Sequence, residues 1–176
     1  HTRCSGVSWA RRCVQETGCV LLENKQDIQR LVDLTVLPNG TPNKKFVGKN
    51  ASVILDAAHI PYNGDPRLII MRAPKNHPFA VIEMLMPILP VVTVDSFDEG
   101  LDVCLMLEAG LHHTATMHSL NMERLNRMAR KMKTSIFVKN GPSYAGLGFS
   151  GEGTTTFTIA TPVSYTHLRA HETPEH

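Results

Sequence analysis

Residues 91–138 read VVTVDSFDEGLDVCLMLEAGLHHTATMHSLNMERLNRMARKMKTSIFV, and the reading of this stretch decides the fold. Val91–Val94 is a run of β-favouring residues, the composition of a strand. Ser96-Phe97-Asp98-Glu99 then has the form of a capping box, in which serine and glutamate side chains satisfy orphan amides at a helix start. The helix it opens is expected to reach about Glu108, with Gly110 stopping it. Thr114–Met117 reads as a second strand. Leu120–Met132 reads as a helix with Met122, Leu125, Ala129 and Met132 on one face, and Ser135–Val138 as a third strand. Strand, helix, strand, helix, strand implies parallel βαβ units, hence an α/β fold with a layered, mostly parallel sheet and flanking helices. The methionines read as core filler, because a flexible thioether fits irregular gaps.

Upstream, Ile28, Leu31, Val32 and Thr35 recur at i, i+3, i+4 and i+7, which predicts a helix over Lys25–Val36 with Asn24 as its cap. Pro38-Asn39-Gly40-Thr41-Pro42 ends it. Lys49–Ala58 suits a second helix, closed before Pro61, and Leu68–Met71 a short buried strand. Cys19, before Val20-Leu21-Leu22, suits a strand or the edge of the core.

The chain has 176 residues, which suits one domain with one core. Hydrophobic residues make up 42% and charged residues 19%, as in an ordinary globular protein and unlike a disordered one. A formal net charge of +2 is too balanced to argue for nucleic acid. No apolar run approaches the roughly 20 residues of a membrane helix, and no basic-then-apolar signal segment opens the chain, so the expected compartment is the cytoplasm. The four cysteines, Cys4, Cys13, Cys19 and Cys104, follow neither a C-x-x-C nor a zinc spacing and read as free thiols. His112, His113 and His118 lie close in sequence, yet their spacing suits no ligand set, and no metal is expected.

Downstream, Phe137–Ala160 reads FVKNGPSYAGLGFSGEGTTTFTIA. It contains a formal G-x-G-x-x-G at Gly146–Gly151. A dinucleotide fingerprint needs a helix after that pattern, whereas the Thr-rich run Thr154–Ile159 follows here and reads as a strand. The Rossmann reading is therefore rejected. What remains is a glycine-rich loop able to pass close to a ligand or another strand.

That string resembles the C-terminal signature of CoA-acylating aldehyde dehydrogenases, the propionaldehyde and acetaldehyde enzymes of propanediol and ethanolamine utilisation. Three more blocks carry the resemblance in the same order: Pro42–Lys49 (PNKKFVGK), His77–Pro90 (HPFAVIEMLMPILP) and His113–Ser119 (HTATMHS). Together they span about residues 18–161. The resemblance implies part of an aldehyde dehydrogenase catalytic domain, residues 15–161, in an oxidoreductase that uses NAD and coenzyme A. It implies a small, short-chain aldehyde as substrate and a homo-oligomeric parent. The setting would be the cytoplasm, with a bacterial microcompartment as a further expectation, and neither nucleic acid nor membrane as partner.

In that family a cysteine thiolate attacks the aldehyde, a hydride passes to the nicotinamide, and CoA resolves the thioester. The family's cysteine sits in an Asn-x-Pro-Cys-type loop, and no Pro-Cys pair occurs here. The nucleophile is expected upstream of the matching region, so no catalytic residue is assigned and the chain is expected to be an inactive fragment. Glu83 aligns with the glutamate of the family's Glu-x-x-x-Pro block, whose carboxylate binds the nicotinamide ribose. An apolar setting for it would demand a ligand or partner. Leu85 stands where ordinary aldehyde dehydrogenases carry phenylalanine, which suits the acylating branch. Pro142, Ser143 and Tyr144 would line the aldehyde or CoA entrance, or else be turn residues packed under the loop. Lys44, Lys45 and Lys49 suit either a CoA phosphate or a solvated face, and His113 matches a family histidine to which no role attaches. Two alternatives stay open: an ordinary hydrolysing aldehyde dehydrogenase, and a non-catalytic nucleotide- or CoA-binding module.

Residues 1–14 match no block and are expected to be a misread or divergent edge. An opening His1 suits a piece of a longer protein. Residues 162–176 resemble translated sequencing-adapter read-through, and Val163–His176 are set aside from functional reasoning.

Overall fold

Ten helices and strands follow one another in the order β1 (Cys19–Leu22), α1 (Lys25–Thr35), α2 (Ala51–Ala57), β2 (Leu68–Arg72), α3 (Pro78–Val81), β3 (Ile88–Val91), α4 (Phe97–Glu108), β4 (Thr114–Met117), α5 (Met122–Met132) and β5 (Ile136–Lys139). A 3₁₀ turn over Ser143–Leu147 follows. The computed structural model describes residues 18–147. The expected strand at Thr154–Ile159, the glycine motif beyond Leu147, and both edge segments lie outside them. The chain divides into two units between Thr93 and Val94, so where its length suggests one core there are two hydrophobic clusters.

In the first unit the sheet order is β1-β2-β3, all parallel, with Val20 opposite Ile69 and Met71 opposite Pro90. Ile69, Ile70 and Met71 on the central strand are all buried, the continuous apolar run of a parallel strand covered on both faces. Helix α1 lays Leu31 and Thr35 into the core. Thr35 hides its hydroxyl by donating to the Leu31 carbonyl at 2.6 Å. Asn24 caps the helix by accepting from the Gln26 amide at 2.9 Å. Helix α2 buries Ala51, Ile54 and Leu55, the i, i+3, i+4 stripe of one helix face. It occupies Ala51–Ala57, inside the expected span Lys49–Ala58.

The third strand falls at Ile88–Val91 and not at the expected Val91–Val94. Propensity favours the Val-Val-Thr-Val run, whereas Pro90 is a residue that strands seldom hold. Pro90 is tolerated because β3 is a terminal strand of the described sheet, where one side of the ladder needs no donor.

In the second unit β4 and β5 are parallel neighbours, with Ala115 opposite Phe137. Leu101, Ala115, Met128 and Met132 form their buried cluster, with Phe97, Cys104 and Phe137 packed against it. The Ser96 hydroxyl accepts from the Glu99 amide at 3.1 Å, as a capping box requires. The Glu99 carboxylate reaches one residue further back than the motif predicts, accepting from the Asp95 amide at 2.9 Å. Ala109 is the left-handed residue that ends α4, and Gly110 follows with positive φ. On α5 the buried stripe is Leu125, Met128 and Met132. Met122 is 61% exposed, so the stripe is rotated toward Met128 from the expected face.

Candidate functional site

The stretch that carries Glu83 is built by a proline and a histidine. Pro78 sits at the first position of α3, where its fixed φ suits a helix start and its missing N–H costs nothing. His77 caps the same turn, its Nδ1 accepting from the Phe79 amide at 3.2 Å. The Phe79 ring is buried and lies 5.2 Å from the imidazole, which anchors the turn to the core. Helix α3 lasts four residues because Ile82 turns extended, with φ −103° and ψ 131°. Met84 then enters the core while its neighbours Glu83 and Leu85 face outward. The Glu83 carboxylate is exposed and has no hydrogen-bond or ion-pair partner among the described residues. Burial therefore does not force a partner on it, contrary to the sequence expectation. It stands open as an acceptor of two hydroxyl hydrogen bonds.

Leu85 is 65% exposed and adopts φ +52°, a left-handed conformation that disfavours a branched side chain. Its carbonyl accepts from the Gly48 amide at 3.0 Å, so the Pro42–Lys49 and His77–Pro90 blocks meet at this point. A cavity of about 500 Å³ opens there, lined by Gly48, Lys49, Arg67, Leu85, Met86 and Pro87 among others. Lys49 thus stands beside Leu85, whereas Lys45 lies over the Phe46 ring at 5.7 Å.

In the second unit Pro142, Ser143 and Tyr144 are all exposed, at the carboxyl end of the two parallel strands. That end is where ligands meet α/β sheets. Asn140 sets this loop. Asn140-Gly141-Pro142 reads as a turn in the sequence, but the side-chain bonds that fix it are not legible there. The Asn140 Oδ1 accepts from the Ser119 amide at 2.7 Å, and its Nδ2 donates to the Ser119 carbonyl at 3.0 Å. The loops after β4 and β5 are tied together by that pair, and the hydroxyls of Thr116 and Ser143 add a 3.1 Å hydrogen bond. Asn140 has φ +53°, and the dipeptide Asn140-Gly141 was the available signal for such a backbone turn.

The cysteines and histidines take ordinary places. Cys19 is buried on β1. Cys104 is half-buried on α4, and burial pushes its thiol pKa up, the opposite of what an activated nucleophile needs. His112 Nδ1 lies 3.3 Å from the Met132 carbonyl, and His113 Nδ1 lies 2.6 Å from the Thr114 hydroxyl. Cys4 and Cys13 lie outside the described residues.

Parallel sheets with flanking helices match the fold of the acylating aldehyde dehydrogenases as a class. Relatives at about half identity are enzymes of that class, and its solved structures share the fold. In particular, the chain is similar to propanal dehydrogenase (CoA-propanoylating) of Citrobacter freundii, 52% identical over 157 residues. That match covers 87% of this chain and 34% of the relative. Among solved structures, propionaldehyde dehydrogenase of Rhodopseudomonas palustris with bound propionyl-CoA superposes with a TM-score of 0.82 at 40% identity. It is matched over 89% of this chain and 35% of its own. The propionaldehyde dehydrogenase from the fucose utilisation bacterial microcompartment of Clostridium phytofermentans gives 0.81 at 38%, over 86% of this chain and 34% of its own. The chain thus spans about a third of the length of the curated relatives it matches. No protein-family model matches it.

Proposed function

We propose that this chain is the part of an NAD-dependent CoA-acylating aldehyde dehydrogenase that orients the nicotinamide ribose and borders the aldehyde and CoA entrance. The observation that carries the reading is the half-identity to a CoA-propanoylating dehydrogenase across most of this chain. The site suits the cofactor. An unpartnered, exposed carboxylate at Glu83 offers two acceptor oxygens to ribose hydroxyls, and bonds to an ionised acceptor are the stronger kind. Leu85, held outward, offers an apolar surface two residues away. When bound, NAD supplies the hydride acceptor and CoA the thiol that carries the acyl group away. Pro142, Ser143 and Tyr144 border the entrance in this reading, and Lys49 adds a positive charge beside Leu85. The substrate is a short-chain aldehyde, and the parent works as a homo-oligomer in the cytoplasm or inside a bacterial microcompartment.

A chimera tests the reading. The aligned third of the Citrobacter freundii enzyme is replaced by the aligned residues of this chain, and NADH formation from propanal is followed with and without CoA. CoA-dependent NADH and propanoyl-CoA are the expected products. A chimera that folds and binds NAD but forms no propanoyl-CoA would sink the proposal.

A further inference from the structure

His77 touches no proposed ligand, yet the cap it provides to the turn before Glu83 gives it work. Its Nδ1 accepts the Phe79 amide, so the proton of the neutral ring is on Nε2. The same residue's carbonyl accepts from Ala80 at 2.8 Å and from Val81 at 3.2 Å. One residue therefore holds three of the amides in and around a helix only four residues long. Glu83 follows that helix after a single extended residue.

We propose that His77 is a positioning residue for Glu83: its neutral imidazole holds the Pro78–Val81 turn closed and so fixes where the carboxylate stands. The functional half of this rests on the proposed cofactor role of Glu83, whereas the cap does not. A protonated imidazole has two donors and no acceptor, so it cannot keep the bond to Phe79. Burial lowers the His77 pKa from its ordinary value near 6.5, in keeping with a ring held neutral. Strand β3, which packs on the turn, carries no charged residue, and no ion pair reaches His77 among the described residues. Arg72, Lys75 and Glu83 are the charged groups of the flanking chain. The sign follows. The unfolded ring takes up its proton at higher pH than the folded one. The cap's contribution is therefore complete above the ordinary histidine pKa, and it is lost as pH falls through the lowered native value.

The test uses the 176-residue chain and the chimera. Amide exchange at Phe79, normalised at each pH to the unfolded-chain rate, should be protected at neutral pH and lose protection on acidification. His77→Ala should cut that protection about fivefold at neutral pH, the usual worth of a cap. His77→Asn, which retains an acceptor but cannot titrate, should restore it and make it independent of pH. In the chimera His77→Ala should lower kcat, and His77→Asn should remove the acid limb of the kcat profile that the native histidine produces. Equal Phe79 protection in the native chain and His77→Ala would overturn the cap, and with it the proposal. An intact cap effect with unchanged kcat in His77→Ala would overturn the positioning role, provided Glu83→Gln slows the same chimera. If Glu83→Gln leaves turnover unchanged, the cofactor role of Glu83 falls and the positioning role falls with it. Phe79 exchange then shows separately that the cap stands.

Discussion

A Cβ built on Gly146 would overlap Ile136 Cγ2 and stand 3.2 Å from Val138 Cγ2. Both are buried β-branched side chains of β5, with little freedom to move aside. The glycine therefore lets the loop lie directly on the strand, which is one of the two uses its composition suggested. Gly146→Ala should cost about 1–3 kcal/mol, as overpacking of a filled core does. Gly141→Ala, whose Cβ would meet Val138 Cγ1 at 3.4 Å, should stay within about 0.5 kcal/mol. Urea denaturation followed by far-UV circular dichroism separates the two, and equal midpoints would remove the packing explanation. Glu83 makes a different kind of claim, because it is exposed and contributes to no core. In the chimera Glu83→Gln should lower kcat about 100-fold, the usual penalty for a small misplacement of a reacting group, while NAD affinity changes little. Native kinetics in that variant would take Glu83 out of the site.

Elements whose ends are fixed by local chemistry were legible in the sequence. Asn24 and Ser96 cap the helices they were expected to cap, because an acceptor two or three residues ahead of an amide is a matter of local geometry. The strand Thr114–Met117 falls where its composition puts it. The failures have tertiary causes. β3 is set by its register against β2, which runs Ile69 opposite Ile88 through Arg72 opposite Val91, and no reading of propensity contains that partner. Helix α3 is too short to show a period, and its two signals, Pro78 and a histidine acting as a cap, are weak alone. On α5 neighbouring apolar stripes are available, and only packing selects Met128 over Met122. Arg124 and Arg127 then close the gap between α4 and α5, with their guanidinium groups 5.6 and 5.5 Å from the Phe97 ring centre. Ser96→Ala should therefore cost about 1 kcal/mol, since it strips the acceptor from Glu99 N–H. Ser96→Thr should recover most of that in thermal unfolding, and an unchanged melting temperature in Ser96→Ala would show the cap to be idle.

For the molecule as a whole, periodicity was enough to give an α/β architecture, because parallel strands alternating with helices leave few other arrangements. The partition into two units was not legible, since it depends on which apolar faces meet and not on any one stretch. The catalytic limits of the chain follow from its thiols. The thiolate is the nucleophile in covalent aldehyde oxidation, and a thiol becomes one near neutral pH only where positive charge or a base lowers its pKa. Among the described residues, Cys104 is pushed the other way by burial and Cys19 is enclosed in a strand. Cys4 and Cys13 stand in no Pro-Cys pair. The chain also spans about a third of its relatives' length. The 176-residue chain by itself is therefore expected to oxidise no propanal, even with NAD and CoA in excess. The loss should be at least on the order of 10⁶ in kcat, the scale set by deleting a catalytic nucleophile elsewhere. Reduced-nicotinamide absorbance and mass-spectrometric detection of propanoyl-CoA measure it, with the chimera as the positive control. Steady, CoA-dependent turnover by this chain that Cys104→Ala abolishes would mean that α4, and not a loop outside these residues, carries the nucleophile.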